Sequence, residues 1–174
     1  MKKLLIAAFA VASMGASTMA FAQYTSSIGS VHVSDLSVRG GFVYALNTAL
    51  RDQSTTLLGL GADYRLAPIL PKSSTYVSFD WITKATTGGS ANIFPLCLNE
   101  RFPLSSNKYG STYFFVGAGV FFNQVGGSTT VLGVRGGLGI DLSSRIFLEA
   151  TGTLSQVSHG IETNTAGLYV GYRF

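Results

Sequence analysis

Seven charged side chains fall on one side of an alternating pattern: Arg39, Asp63, Arg65, Asp80, Arg135, Glu149 and Arg173. Four guanidinium forks and three carboxylates in a small enclosed space can pair with one another and tie distant segments together. The same groups could instead line a selective path for ions or relay protons. A second group, Ser158 and His159 with Glu162, has the residue types of a nucleophile, a base and an orienting carboxylate,. It falls in a glycine-containing stretch between alternating segments, where little holds such a trio in register. No phosphate-cradling GxxxxGK[ST], no HExxH and no CxxC occurs in the sequence, so no nucleotide, cofactor or metal is expected,. Cys97 is the single cysteine and reads as a small apolar filler of a strand; His32 stands in the lead-in to the first segment,.

The elements that must carry these charges are short and alternate with period two. Eight segments stand between clusters of Gly, Ser, Thr, Asn and Pro: Asp35–Tyr44, Thr56–Leu66, Thr75–Thr83, Ile93–Phe102, Thr112–Phe122, Thr130–Asp141, Arg145–Leu154 and Thr165–Phe174. In the sixth, Gly133, Arg135, Gly137, Gly139 and Asp141 oppose Leu132, Val134, Leu138 and Ile140. The second sets Gly59, Gly61, Asp63 and Arg65 against Leu58, Leu60, Ala62, Tyr64 and Leu66. A soluble sandwich also alternates, but it covers its outer face with charge. Here the polar side is sparse and strewn with glycine, and only 11% of the chain is charged against 47% hydrophobic. Such a face suits a narrow barrel interior, with lipid against the apolar side and closure removing unpaired edges.

The N-terminus supplies the compartment. Lys2 and Lys3 precede an apolar run from Leu4 to Ala16 and the small-residue site Ala20-Phe21-Ala22, the layout of a secretory signal peptide cleaved after Ala22,. Residues 23–174 then form one domain. The formal net charge of +4 loses two units with Lys2 and Lys3, and the nearly balanced remainder gives no reason to expect nucleic-acid binding. Tyr44, Tyr64, Trp81, Tyr113, Phe122 and Tyr172 lie near segment ends, as two interfacial aromatic girdles require,.

The signal peptide, the eight segments, VGAGVFF (116–122), VRGGLGIDLSSRIFLEATG (134–152) and the closing VGYRF together resemble the small OmpA-like outer-membrane β-barrel proteins of diderm bacteria. The resemblance implies an all-β, antiparallel, up-and-down membrane barrel of eight strands with both termini in the periplasm. It also implies that Leu168, Val170, Tyr172 and Phe174 form a C-terminal signal read by the barrel-assembly machinery. Expected partners are therefore outer-membrane lipid and lipopolysaccharide, with that machinery and periplasmic chaperones during biogenesis; a monomer is expected. Outward loops would be Ala45–Thr55, Lys84–Asn92, Asn123–Thr129 and Ser155–Asn164, too short for a large adhesive surface, and inward turns Ala67–Ser74, Pro103–Ser111 and Leu142–Ser144. No periplasmic peptidoglycan-binding domain is expected.

Some eight-stranded barrels act on lipid A, and two departures weigh against that here. The lipid A deacylase family places a serine two residues after its histidine, where this chain has Ile161; the palmitoyltransferase relatives begin with an amphipathic helix, for which Gln23–Ser34 is a poor candidate. The expectation is a non-enzymatic envelope protein with a structural or small-surface role, its lumen filled by the Arg/Asp/Glu network. The alternatives are a narrow pore for ions or small solutes and, after it, a lipid A-modifying hydrolase.

Overall fold

The computed structural model describes residues 35–85, 91–107, 110–125, 127–157 and 162–174. The expected leader at 1–22, His32, Ser158 and His159 lie outside them. Eight strands occur in chain order: β1 Leu36–Ala45, β2 Thr56–Arg65, β3 Ser74–Lys84, β4 Ala91–Asn107, β5 Gly110–Val125, β6 Ser128–Asp141, β7 Ile146–Ser155 and β8 Thr165–Arg173. Each pairs antiparallel with its sequence neighbours, and β8 returns to β1 from Ser37↔Arg173 to Ala45↔Thr165, so the sheet closes. Followed across all eight ladders, the register comes back to β1 about ten residues out of step, the stagger that accompanies strands tilted by roughly 35–45°,. Closure leaves no strand edge along the wall, and the pleat sends alternate side chains in and out.

The outward side is apolar all the way round. Phe42, Leu132, Leu138 and Leu168 are each more than half exposed, and Phe79, Leu96, Leu98, Val116, Val134, Leu148 and Val170 continue the band on other strands. Apolar surface of this extent is not tolerated by a monomer in water; it needs a cover of lipid or protein. No described helix is long and apolar enough to cross a membrane, and crossing strands need none,. Tyr44 and Phe122 are exposed near one end of the wall and Tyr172 near the other, while Tyr64 and Trp81 are half-buried. Trp81 donates its indole N–H to Asn92 Oδ1 at 3.2 Å. Tyr113 departs from the expected girdle. It points inward and is buried, because it shares the parity of the buried Phe115 and Phe121 and not that of the exposed Val116 and Phe122,.

Three connections differ from the sequence expectation, one of them the outward loop Asn123–Thr129, most of which is strand because β5 reaches Val125 and β6 starts at Ser128. The stretch Ala45–Thr55 carries a short helix, α1, Thr48–Gln53. Its Leu50 is fully buried and joins Val43, Leu57, Ile82, Ile93 and Phe121 in an apolar cluster inside the barrel at the end away from the termini. Leu50→Ala is expected to lower stability by about 2–4 kcal/mol, read from the shift in the urea midpoint of the folded barrel; an unchanged midpoint would mean that α1 contributes nothing there.

At the opposite end, the expected turn Pro103–Ser111 is mostly strand. β4 pairs with β3 only as far as Ser74↔Arg101, then runs on beside β5 to Asn107↔Gly110, while β5 stays paired with β6 as far as Ser111↔Asp141. The register shifts between Pro103 and Ser105, and Pro103, which has no N–H, lies where β4 has lost its β3 neighbour,.

Candidate functional site

The inward side chains form a layer to which every strand contributes. Arg39 of β1 is its centre on one side: Nη1 is paired with the Asp63 carboxylate of β2, and Nη2 donates to Asp80 Oδ1 of β3 at 2.7 Å. The other Asp80 oxygen accepts from Arg135 Nη1 of β6 at 3.0 Å. One carboxylate thus bridges two guanidinium groups from opposite parts of the wall. Arg135 Nη1 also donates to Ser78 Oγ at 3.0 Å, and Asn99 of β4 donates to the same hydroxyl at 2.9 Å. Arg135 Nη2 lies 3.7 Å from Glu149 Oε2 of β7, an ion pair without a direct hydrogen bond. Tyr113 of β5 donates its hydroxyl to Glu149 Oε1 at 2.9 Å. Tyr169 completes the ring from β8, with the Arg39 guanidinium 5.6 Å from its centroid.

These charges are deeply placed: Arg39, Asp80 and Arg135 are each only 3% exposed. Partnering offsets the large desolvation cost of such groups, and removal of one partner would leave the other stranded. The strands bring them together because their register does. Arg39 stands opposite Gly61, and Gly61 opposite Asp80, so the middle strand offers no side chain and the guanidinium reaches across it. A Cβ built on Gly61 would overlap the Asp80 carboxylate.

Glycine does the same for the rings. Tyr113 lies over its cross-strand partner Gly139, Phe115 over Gly137 and Phe147 over Gly171; Tyr169 reaches past β1 to lie over Gly59. Each large side chain fills the space that a small neighbour leaves open, which is how a narrow barrel packs its interior.

A second charged cluster lies nearer the termini end. Arg101 Nη2 donates to both Asp141 oxygens at 2.9 Å, Arg173 Nη2 donates to Oδ1 at 2.6 Å, and Ser111 donates to Oδ2 at 2.6 Å. The Arg101 guanidinium stacks 3.3 Å above the Tyr113 ring centroid, and that of Arg173 lies 4.5 Å from the centroid of Phe147.

Of the seven charges read from the sequence, Arg39, Asp63, Asp80, Arg135 and Glu149 thus meet in one layer, and Arg173 belongs to this separate cluster. Arg65 joins neither: it has the inward parity of Asp63 but stands exposed at the last position of β2, where the wall ends. Sequence reasoning passed over Arg101 and Asp141. Asp141 stood in plain view on the polar side of its segment, whereas the parity of Arg101 is hidden because Asn99 and Glu100 beside it are both polar.

Leu168, Val170, Tyr172 and Phe174 all lie on the outward side at or just beyond β8 and are exposed. Glu162 accepts from the side-chain amides of Asn47 at 3.3 Å and Asn164 at 2.7 Å. Among the described residues, no group of three or more His, Cys, Asp or Glu is placed to hold a metal ion.

No protein-family model matches the sequence, and no curated protein does. Solved structures do match. The N-terminal β-barrel domain of Pseudomonas aeruginosa OprF aligns with a TM-score of 0.51 at 15% identity, covering 80% of this chain and 98% of that one. Neisserial surface protein A aligns with a TM-score of 0.56 at 9% identity, covering 79% and 94%. A transmembrane β-barrel designed de novo aligns with a TM-score of 0.53 at 16% identity, covering 80% and 94%. The chain has the fold of the small eight-stranded outer-membrane barrels. At such identities the likeness is one of architecture, and a designed protein among the matches makes the same point. What this barrel does must be argued from its own side chains.

Proposed function

We propose that the chain is a non-enzymatic integral protein of the outer membrane of a diderm bacterium, with a structural or small-surface role and a lumen plugged by its own side chains. The observation that carries the reading is the bridging of Arg39 and Arg135 by Asp80 within a layer supplied by all eight strands. A conducting path would need mobile, hydrated charges. Here the guanidinium groups are held by fixed carboxylates and flanked by Phe115 and Tyr169. Eight strands enclose a space just wide enough for side chains to fill, and the Leu50 cluster fills it again beyond the charged layer.

The apolar wall supports membrane insertion, and lipid with lipopolysaccharide would be its partners there. Export by a cleaved leader, delivery by chaperones and the assembly machinery, and a monomeric state complete the reading. A hydrolase gains no support from Glu162, whose carboxylate is engaged by two asparagine amides that tie the connections after β1 and before β8 together. Those connections are short, and Leu46 N–H donates to the Asn164 carbonyl at 2.9 Å between them. A surface of that size suits a small contact.

Planar-bilayer conductance of residues 23–174 refolded in detergent tests the plug, with unheated and boiled gel migration as the folding check. The expected result is a folded, silent barrel. Steady single-channel steps from a folded sample, altered in size by Arg135→Ala, would replace the plug with a pore.

A further inference from the structure

One segment at the termini end does not point away from the wall. The β2–β3 connection, Leu66–Ser73, folds back over the outward side of β3 and β4. Leu66 N–H donates to the Thr75 carbonyl at 2.8 Å, Ile69 N–H to Thr75 Oγ1 at 2.8 Å, and Leu70 N–H to Glu100 Oε1 at 3.1 Å. Ser73 Oγ lies 2.8 Å from both Glu100 Oε1 and the Leu70 carbonyl. Thr75 and Glu100 are cross-strand partners, and Glu100 follows Leu96 and Leu98 on the outward side of β4. Thr75 is fully buried by this cover.

Glu100 is a half-buried carboxylate among outward apolar side chains, and the folded-back segment supplies hydrogen-bond donors to its Oε1. The segment then presents an apolar tip of its own. Ile69 is 66% exposed and Leu70 47%, with Pro71 next to them. Lys72 takes a positive φ of 61°, the third position of a Pro-Lys turn between Leu70 and Ser73. Holding a lysine in that region costs about 1–2 kcal/mol, so the turn is kept for its shape.

We infer that Leu66–Ser73 is an interfacial anchor, with Ile69 and Leu70 inserted among the acyl chains of the adjoining phospholipid leaflet and Lys72 directed to the headgroups. The inference rests on the membrane-barrel reading and deepens it. Three features select phospholipid as the occupant. The tip is exposed and apolar beside a wall that carries Leu96 and Leu98 outward on β4, the segment buries Thr75 and donates to Glu100 Oε1, and the cation follows the apolar residues as it does at membrane interfaces,.

The test uses the mature chain refolded into phosphatidylcholine vesicles whose lipids carry bromine either high on the acyl chain or near its end. Leu70→Trp is made in a Trp81→Phe background, so that one indole reports, and Ile69→Trp repeats the measurement should the first variant fold poorly. The expected result is a blue-shifted emission quenched more by the shallow bromines than by the deep ones. Unquenched emission at the wavelength of water-exposed indole overturns the anchor. Blue-shifted emission that no bromine quenches also overturns it, and points to a protein partner or second copy as the cover. The unaltered chain, with only Trp81 in the wall, separates the two readings: if Trp81 itself escapes quenching, the membrane barrel fails, whereas quenching at Trp81 with none at 69 or 70 removes the anchor alone.

Discussion

Asp80→Ala is expected to destabilise the folded barrel by about 3–5 kcal/mol, because it strips a partner from two buried guanidinium groups at once. Arg39 keeps Asp63, but Arg135 keeps only Ser78 and a Glu149 carboxylate 3.7 Å away. Glu149→Gln should be much milder, about 1 kcal/mol, since an amide oxygen can still accept from Tyr113 and no direct bond to Arg135 is lost. Urea midpoints of the two variants, measured on the same refolded samples, give the order. Equal losses would show that Asp80 has no special place as the bridge. Adding Arg135→Met to Asp80→Ala should recover part of the loss, as the unpaired charge leaves with its partner.

Gly139→Leu is expected to abolish the heat-resistant folded form. A Cβ at that position would overlap the Tyr113 ring, which has no free direction to move: its hydroxyl is bound to Glu149 and Arg101 lies over its face. Overpacking commonly costs about 1–3 kcal/mol where neighbours can shift, and here they cannot. Gly152→Leu is the control. Gly152 faces outward, where a Cβ would meet only the Thr165 carbonyl at 4.0 Å, so the folded fraction should be unchanged. Combining Gly139→Leu with Tyr113→Ala should restore folding; if it does not, the glycine is required by the backbone and not by the ring.

Much of the barrel was legible because a membrane wall has to repeat one simple rule. Leu132, Val134, Leu138 and Ile140 alternate with small or charged residues, and only a strand with unlike sides can use that pattern. Apart from β4 and β5, the strands therefore begin and end close to where the alternation does. What the pattern could not convey is height along the barrel axis. Tyr113 sits at the end of its alternating segment and was expected at the membrane boundary, yet β5 continues beyond it to Gly110 and its parity is that of the buried Phe115. Arg65 and Asp63 share a parity, but two residues separate a buried carboxylate from an exposed guanidinium. The helix α1 was missed because Thr48–Gln53 is one and a half turns long, too short to establish a period, and it is held by Leu50 entering the barrel.

The position of Tyr169 bears on the order of assembly. Its ring belongs to the last strand but rests on Gly59 of the second, passing over Gly41 of the first. Neighbouring strands can meet as local hairpins, whereas this contact joins residues 110 positions apart in sequence and must await the costly approach of the chain's two halves. Until then Gly59 has no ring to fill its space, and Arg39 no aromatic face beside it. The seam is therefore fastened from the inside and across three strands together, so an open curved sheet of eight strands gains little by lingering. Closure should be the slow, concerted last event, and Tyr169 the side chain whose truncation most favours reopening.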